Sequence, residues 1–161
     1  MENSDAENFF LLNADPDVVR YLGIRPMEKM EEAMAKVQGV LEQYDKYGIG
    51  RYVILEKGSE KFIGFGGLKF FEHAAEGYNN IYDLGYVLAK HAWGKGYATE
   101  ISRAWVDLGF NLMRLPEVYG MTDPDNEASK HVLQKVGMSY IGQIIFENMD
   151  TCLFVVKNPA V

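Results

Sequence analysis

The chain's 161 residues, 48% of them hydrophobic, suffice for one domain that buries roughly 70% of its unfolded surface and leave no room for a two-domain machine. Sixteen lysines and arginines against twenty-three aspartates and glutamates give a net charge of −7. That balance argues against the broad phosphate-binding surface that drives nucleic-acid affinity and suits a cationic substrate such as an amine, although solubility alone also explains it.

A lone cysteine, Cys152, cannot form an internal disulfide, and no His or Cys spacing suggests a metal site. No apolar stretch approaches the ~18 residues that span a bilayer. The acidic segment Met1 to Glu7 is unlike a secretory or transit peptide. The expectation is a cytoplasmic protein without nucleic-acid or membrane partners.

In chain order, Asp5 to Leu12 and Asp15 to Leu22 read as two short helical pieces, with Asp15 as cap and Pro16 at the first helical position. Met30, Met34, Val37, Leu41 and Tyr44 recur at helical spacing, which predicts a helix from Met27 to about Tyr44 with the methionines in the core. Tyr52 to Leu55 is β-branched and aromatic and ends at a turn, Lys57 to Glu60, so it should pair as a hairpin with Phe62 to Phe71. Gly64, Gly66 and Gly67 thin that second strand, which suggests a bulge or the close approach of another group. A polar loop, Glu72 to Asn80, is expected before a third strand, Ile81 to Leu88. A glycine loop then opens a helix to about Leu112; Val118 to Thr122 reads as a strand, Asn126 to Val136 as a helix ended by Gly137, and Met138 to Phe146 with Thr151 to Lys157 as a last hairpin. The order βββαβαββ after a helical start predicts an α+β domain with a mixed sheet over residues 1–161.

A glycine-rich turn entering a helix points backbone N–H groups at a ligand beside the positive end of the helix dipole, a physical basis for binding phosphate. Lys90 to Thr99 is such a turn. A dinucleotide fingerprint would need glycine at Thr99, and a P-loop would need Ser or Thr at Gly96.

Trp93-Gly94-Lys95-Gly96-Tyr97-Ala98 resembles the pyrophosphate-binding motif of the GNAT N-acetyltransferase superfamily, and Asn126 to Met138 resembles that family's second motif. The wording Trp-Gly-x-Gly-Tyr-Ala-Thr-Glu from Trp93 to Glu100 is closest to the branch containing the ribosomal-protein N-terminal acetyltransferases. The resemblance implies a splayed mixed sheet flanked by helices, with acetyl-CoA as co-substrate and no metal. It implies that Trp93, Gly94, Lys95, Gly96, Tyr97 and Ala98 hold the pyrophosphate, that the backbone of Tyr86, Val87 and Leu88 pairs with pantetheine as an extra strand, and that Asn126 bonds the cofactor arm.

Acetyl transfer from a thioester to an amine needs a neutral amine, a donor for the oxyanion and a proton for the thiolate. By the resemblance, a backbone N–H near Val87 or Leu88 is the oxyanion donor. Many relatives place a tyrosine acid where this chain has Leu133; the ribosomal branch uses a first-turn serine, here Ser129, which could equally bond its own backbone. Either Glu147 or Asp83 is the candidate base, with preference for Glu147. His73, His91 and His131 read as surface residues, and Cys152 as a small buried one. The acceptor would be a primary amine, a small molecule or a protein N-terminus, attacked directly. A catalytically silent acyl-CoA-binding or sensor domain is the alternative, and a general nucleotide-binding module is more remote.

The family's first strand, with Arg-Leu-x-Leu-Arg, has no counterpart before Asp5. The strand from Arg51 to Glu56 is therefore expected at an edge that must be covered by residues before Asp5, by an upstream start or by a second copy in a homodimer.

Overall fold

The structure, a computed structural model, describes residues 1–161. Helix α1 spans Ala6–Asn13 and α2 spans Pro16–Val19, where the Asp15 carboxylate accepts the Asp17 N–H at 2.9 Å and Pro16 opens the helix. Helix α3, Met30–Tyr47, begins three residues later than its apolar spacing predicts. The Glu32 carboxylate accepts the N–H groups of Glu28 and Lys29 at 3.2 and 3.1 Å, which fixes the helix start. The methionine stripe is corrected as well. Ala33 and Val37 are the fully buried positions of α3, whereas Met34 is 57% exposed. The small Ala33 and Val37 therefore mark the face that α3 turns inward, which helical spacing alone does not fix.

One six-stranded sheet has the order β1-β2-β3-β4-β6-β5. Its strands are β1 Arg51–Leu55, β2 Phe62–Ala75, β3 Tyr78–Leu88, β4 Glu117–Thr122, β5 Ser139–Phe146 and β6 Met149–Lys157. The expected polar loop from Glu72 to Asn80 is instead a tight turn at Glu76 and Gly77 with strand on both sides; Gly77 has φ 82. Helices α4 (Tyr97–Asn111) and α5 (Glu127–Lys135) cover one face of the sheet, whose core includes Leu68, Leu84, Val118, Leu133 and Phe154. A smaller cluster of Ile63, Leu88, Ala92 and Ile101 sits where α4 begins.

The thinned glycines of β2 do admit close neighbours. A Cβ on Gly66 would lie 2.9 Å from Ile101 of α4, and one on Gly64 would lie 2.1 Å from the Val87 carbonyl oxygen. All neighbouring strands are antiparallel except β3 and β4, which are parallel and keep register only at Asp83 with Tyr119 and Leu84 with Gly120. Beyond that rung they part.

β1 lies at the edge of the sheet. The residues before Asp5 do not supply a covering strand: Asn3–Asp5 forms a short 3-10 turn, and the Met1 ammonium donates to the Tyr44 hydroxyl at 3.2 Å, which in turn donates to the Arg51 carbonyl. That segment bonds within itself and to Tyr44 and does not pair with the edge. No helix is long and apolar enough to cross a membrane.

Candidate active site

Strand β3 ends at Leu88 and the chain passes through a short turn, Lys90–Ala92, into the glycine loop. Gly94 (φ 71) and Gly96 (φ 86) both adopt the left-handed conformation that glycine reaches without strain. Gly96 is the N-cap residue of α4, no side chain caps the helix there, and a Cβ at either glycine would meet nothing within 4 Å. The loop therefore presents a helix N-terminus to open space, the arrangement that accepts an anion. Two ties hold it. The Trp93 indole N–H donates to the Leu88 carbonyl at 2.7 Å, and the Tyr97 hydroxyl donates to Glu56 at 2.5 Å. The bond to Tyr97 holds the Glu56 carboxyl below its usual range and raises the phenol.

Across the opening between β3 and β4 stands α5. Asn126 is its N-cap, with the side-chain oxygen accepting the Ser129 N–H at 3.1 Å. The Ser129 hydroxyl is met by the Tyr86 hydroxyl, which donates to it at 3.4 Å. Burial pushes the Tyr86 phenol up, which keeps it protonated as a donor. Leu133 is 1% exposed and packs against Gly120, so its side chain belongs to the core and does not face the opening. Leu133→Tyr should therefore destabilise the protein by about 1–3 kcal/mol through overpacking, read as a lower urea midpoint, and bring no gain in turnover.

The two faces of β3 differ because its side chains alternate. Leu84, Tyr86 and Leu88 lie on the α4 side with the core. Asp83 and Gly85 face the side of α1 and α3, where Phe9 of α1 packs on Phe65 of β2 with ring centroids 4.8 Å apart. There Asp83, 5% exposed, accepts from Arg51 Nη2 at 2.5 Å and from the Met121 N–H at 3.1 Å. Burial pushes the Asp83 carboxyl up against the opposing pull of the Arg51 guanidinium. The β5–β6 turn leans over the same face: Phe146 packs edge-on against Phe71 of β2, with centroids 5.3 Å apart. Glu147 and Asn148 form this two-residue turn with φ 49 and 65, leaving Glu147 exposed. Lys69 of β2, lowered chiefly by burial, feels the Glu147 carboxylate and lies 4.4 Å from the centre of the Phe71 ring.

The structure thus brings Ser129, Tyr86, Asn126 and the Trp93 to Ala98 loop around one end of the β3–β4 opening. It sets Glu147 apart, at the hairpin tip on the opposite face of the sheet. The side chains of Arg51 and Tyr86 went unread in the sequence; the glycines at 67 and 85, facing each other in register, were the available sign of a long side chain crossing between strands. His73, His91 and His131 are exposed, and Cys152 is buried in the core. No three His, Cys, Asp or Glu side chains group to hold a metal ion.

Residues 1–139 match the acetyltransferase (GNAT) domain family. The chain is 29% identical to the uncharacterized N-acetyltransferase YoaA of Bacillus subtilis, covering 98% of this chain and 90% of that protein. It is 24% identical to the spermidine N(1)-acetyltransferase of Escherichia coli K12, covering 91% of this chain and 74% of that protein. Among solved structures, the ribosomal L7/L12 alpha-N-protein acetyltransferase RimL in complex with coenzyme A superposes with a TM-score of 0.79 at 17% identity, covering 100% of this chain and 93% of that one. With the splayed mixed sheet and the glycine loop at α4, the match places the chain in the GNAT acetyltransferase family, and it is an N-acetyltransferase by that membership.

Proposed function

We propose that residues 1–161 form a single acetyl-CoA-dependent N-acetyltransferase domain that transfers the acetyl group to a primary amine by direct attack. The observation that carries this reading is the open helix N-terminus at Gly94 to Gly96 facing the Ser129 end of α5 across the β3–β4 opening. The amides of Gly94 to Ala98 receive the pyrophosphate, with Lys95 beside them, and the Trp93 indole holds the loop to β3. The strand backbone at Tyr86, Val87 and Leu88 lies past the last β3–β4 rung, where it can pair with pantetheine. The Asn126 oxygen is used by the cap, which leaves its NH2 to donate to the cofactor arm. Acetyl-CoA supplies the activated acyl group. Ser129 returns a proton to the departing sulfur, and the N-terminus of α5 favours the negative charge that forms there. The amine enters the opening from the α1 and α3 face, the face on which Glu147 stands, and Glu147 takes its proton through water.

The spermidine and ribosomal-protein relatives support small polyamines and protein N-termini as the first acceptors to try. Incubation with acetyl-CoA and a panel of polyamines, aminoglycosides and N-terminal peptides should release free CoA with one class. Release with none would favour an acyl-CoA-binding or sensor domain, the reading supported by leucine at position 133 in place of the tyrosine acid of many relatives.

A second copy is the proposed cover for β1. Tyr52-Val53-Ile54-Leu55 is apolar read in either direction, Tyr52 and Leu55 are exposed, and a groove of about 330 Å³ beside the edge is lined by Ile49, Tyr52, Trp105, Leu108, Leu112 and Met113. A two-fold axis covers both edges at once. Light scattering should give twice the 18.3 kDa chain mass at micromolar concentration, with slow exchange of the Tyr52 to Leu55 amides. A monomer with unprotected amides would mean that the edge stays open.

A further inference from the structure

We propose that Arg51 and Asp83 form a clamp across four strands that fixes the opening between β3 and β4, so that Asp83 positions the cofactor cleft and is not the proton acceptor. The clamp begins on β1. Arg51 reaches over β2, where Nη1 donates to the Gly67 carbonyl, and over β3, where the same nitrogen donates to the Asp83 carbonyl at 2.7 Å and Nη2 donates to the Asp83 carboxylate at 2.5 Å. A side chain at Gly85 would displace it: a Cβ there would lie 2.3 Å from Nη2. Glycine at 85 is therefore the slot for the guanidinium. The other carboxylate oxygen of Asp83 accepts the Met121 N–H at 3.1 Å.

Met121 is one residue beyond Gly120, the last β4 position in register with β3. One side-chain pair thus ends the ladder and holds the first separated residue of β4 at a set distance from β3. Each carboxylate oxygen already accepts a hydrogen bond and the group is 5% exposed, which suits Asp83 to holding strands in place and not to receiving a proton from an incoming amine. Of the charged groups near it on this face, Arg51 is bonded to it and Lys69 stands directly opposite it in the β2–β3 register, whereas Glu147 lies at the β5–β6 turn.

The inference rests on the reading of the β3–β4 opening as the acetyl-CoA site. Asp83→Asn keeps the oxygen that accepts from Met121; Asp83→Ala removes it. The acetyl-CoA Kd measured by calorimetry should stay within about threefold for Asp83→Asn and rise at least tenfold for Asp83→Ala. Arg51→Met strands a buried charge and risks misfolding, so Arg51→Met combined with Asp83→Asn, which removes both charges, is the variant to use. It keeps the acceptor for Met121 but removes the bridge from β1 to β2 and β3, and should raise the Kd well above that of Asp83→Asn alone. The Met121 amide, followed by hydrogen exchange without any ligand, should lose at least tenfold protection in Asp83→Ala and keep it in Asp83→Asn. If the wild-type protein failed to bind acetyl-CoA, the cofactor reading would fall while the exchange data still judged the clamp. Wild-type protection of Met121 in Asp83→Ala would overturn the clamp. So would loss of the acidic limb of the kcat pH profile in Asp83→Asn, because that limb would then belong to Asp83 acting as base.

Discussion

Ser129→Ala should lower kcat by about 10²-fold, equivalent to about 2.7 kcal/mol of transition-state stabilisation, and leave acetyl-CoA affinity within twofold. The hydroxyl sits in the first turn of α5, bonded to no backbone group of its own helix, and accepts from the Tyr86 hydroxyl. On the proposed mechanism, removing it deletes a donor needed only when the sulfur departs, so the loss belongs to kcat. It leaves the N-cap bond intact, because Asn126 accepts from the Ser129 backbone N–H and not from the side chain. The helix dipole therefore remains, and it limits the loss by continuing to stabilise a thiolate. An alanine variant with wild-type kcat, in an assay where chemistry is rate-limiting, would assign the hydroxyl a structural role.

Element order and the glycine loop could be read from the sequence because each rests on local chemistry. Asp15 before Pro16, Gly137 after Val136 and the two glycines before α4 act within one turn of chain. The features that escaped depend on partners far away in sequence. Arg51 meets Asp83 across 32 residues, and only the registers of β1 on β2 and of β2 on β3 bring them together. The β2–β3 hairpin was misread for another reason. Its distal end is exposed at Glu72, His73, Asn79 and Asn80 and buries only the small Ala74 and Ala75 beside the turn, so no alternation of large apolar side chains marks the strands there, and the residues look like a loop. Cross-strand bonds such as His73 Nδ1 to Asn79 Oδ1 at 2.6 Å hold it instead. Met34 escaped because helical spacing gives a stripe but not which stripe faces inward, and the buried face is that of Ala33 and Val37. Tyr86 was read for its backbone alone, since only the placement of α5 brings its hydroxyl to Ser129.

Gly96→Val should abolish the thermal stabilisation by acetyl-CoA while the protein still folds. At a concentration a hundredfold above Kd, a ligand that binds only the native state adds about 2.7 kcal/mol. For a domain of this size, that corresponds to a rise in Tm of roughly 5–10 °C. The native φ of 86 at Gly96 is unfavourable for a β-branched residue, at a cost of about 1–2 kcal/mol in the unliganded protein. No neighbour stands within 4 Å of the added Cβ, so packing adds little to that cost. On the proposed reading, the open space is where a pyrophosphate approaches the amides, and a branched side chain there blocks the approach and strains the backbone that aims them. Gly94→Ala, with φ 71 and equal clearance, should weaken the shift less, because a single methyl protrudes less. ATP and NAD should give no shift with the wild-type protein, since Thr99 and Gly96 depart from the loops that hold those nucleotides. Full acetyl-CoA stabilisation of Gly96→Val, or tight binding of NAD by the wild type, would move the cofactor away from this loop.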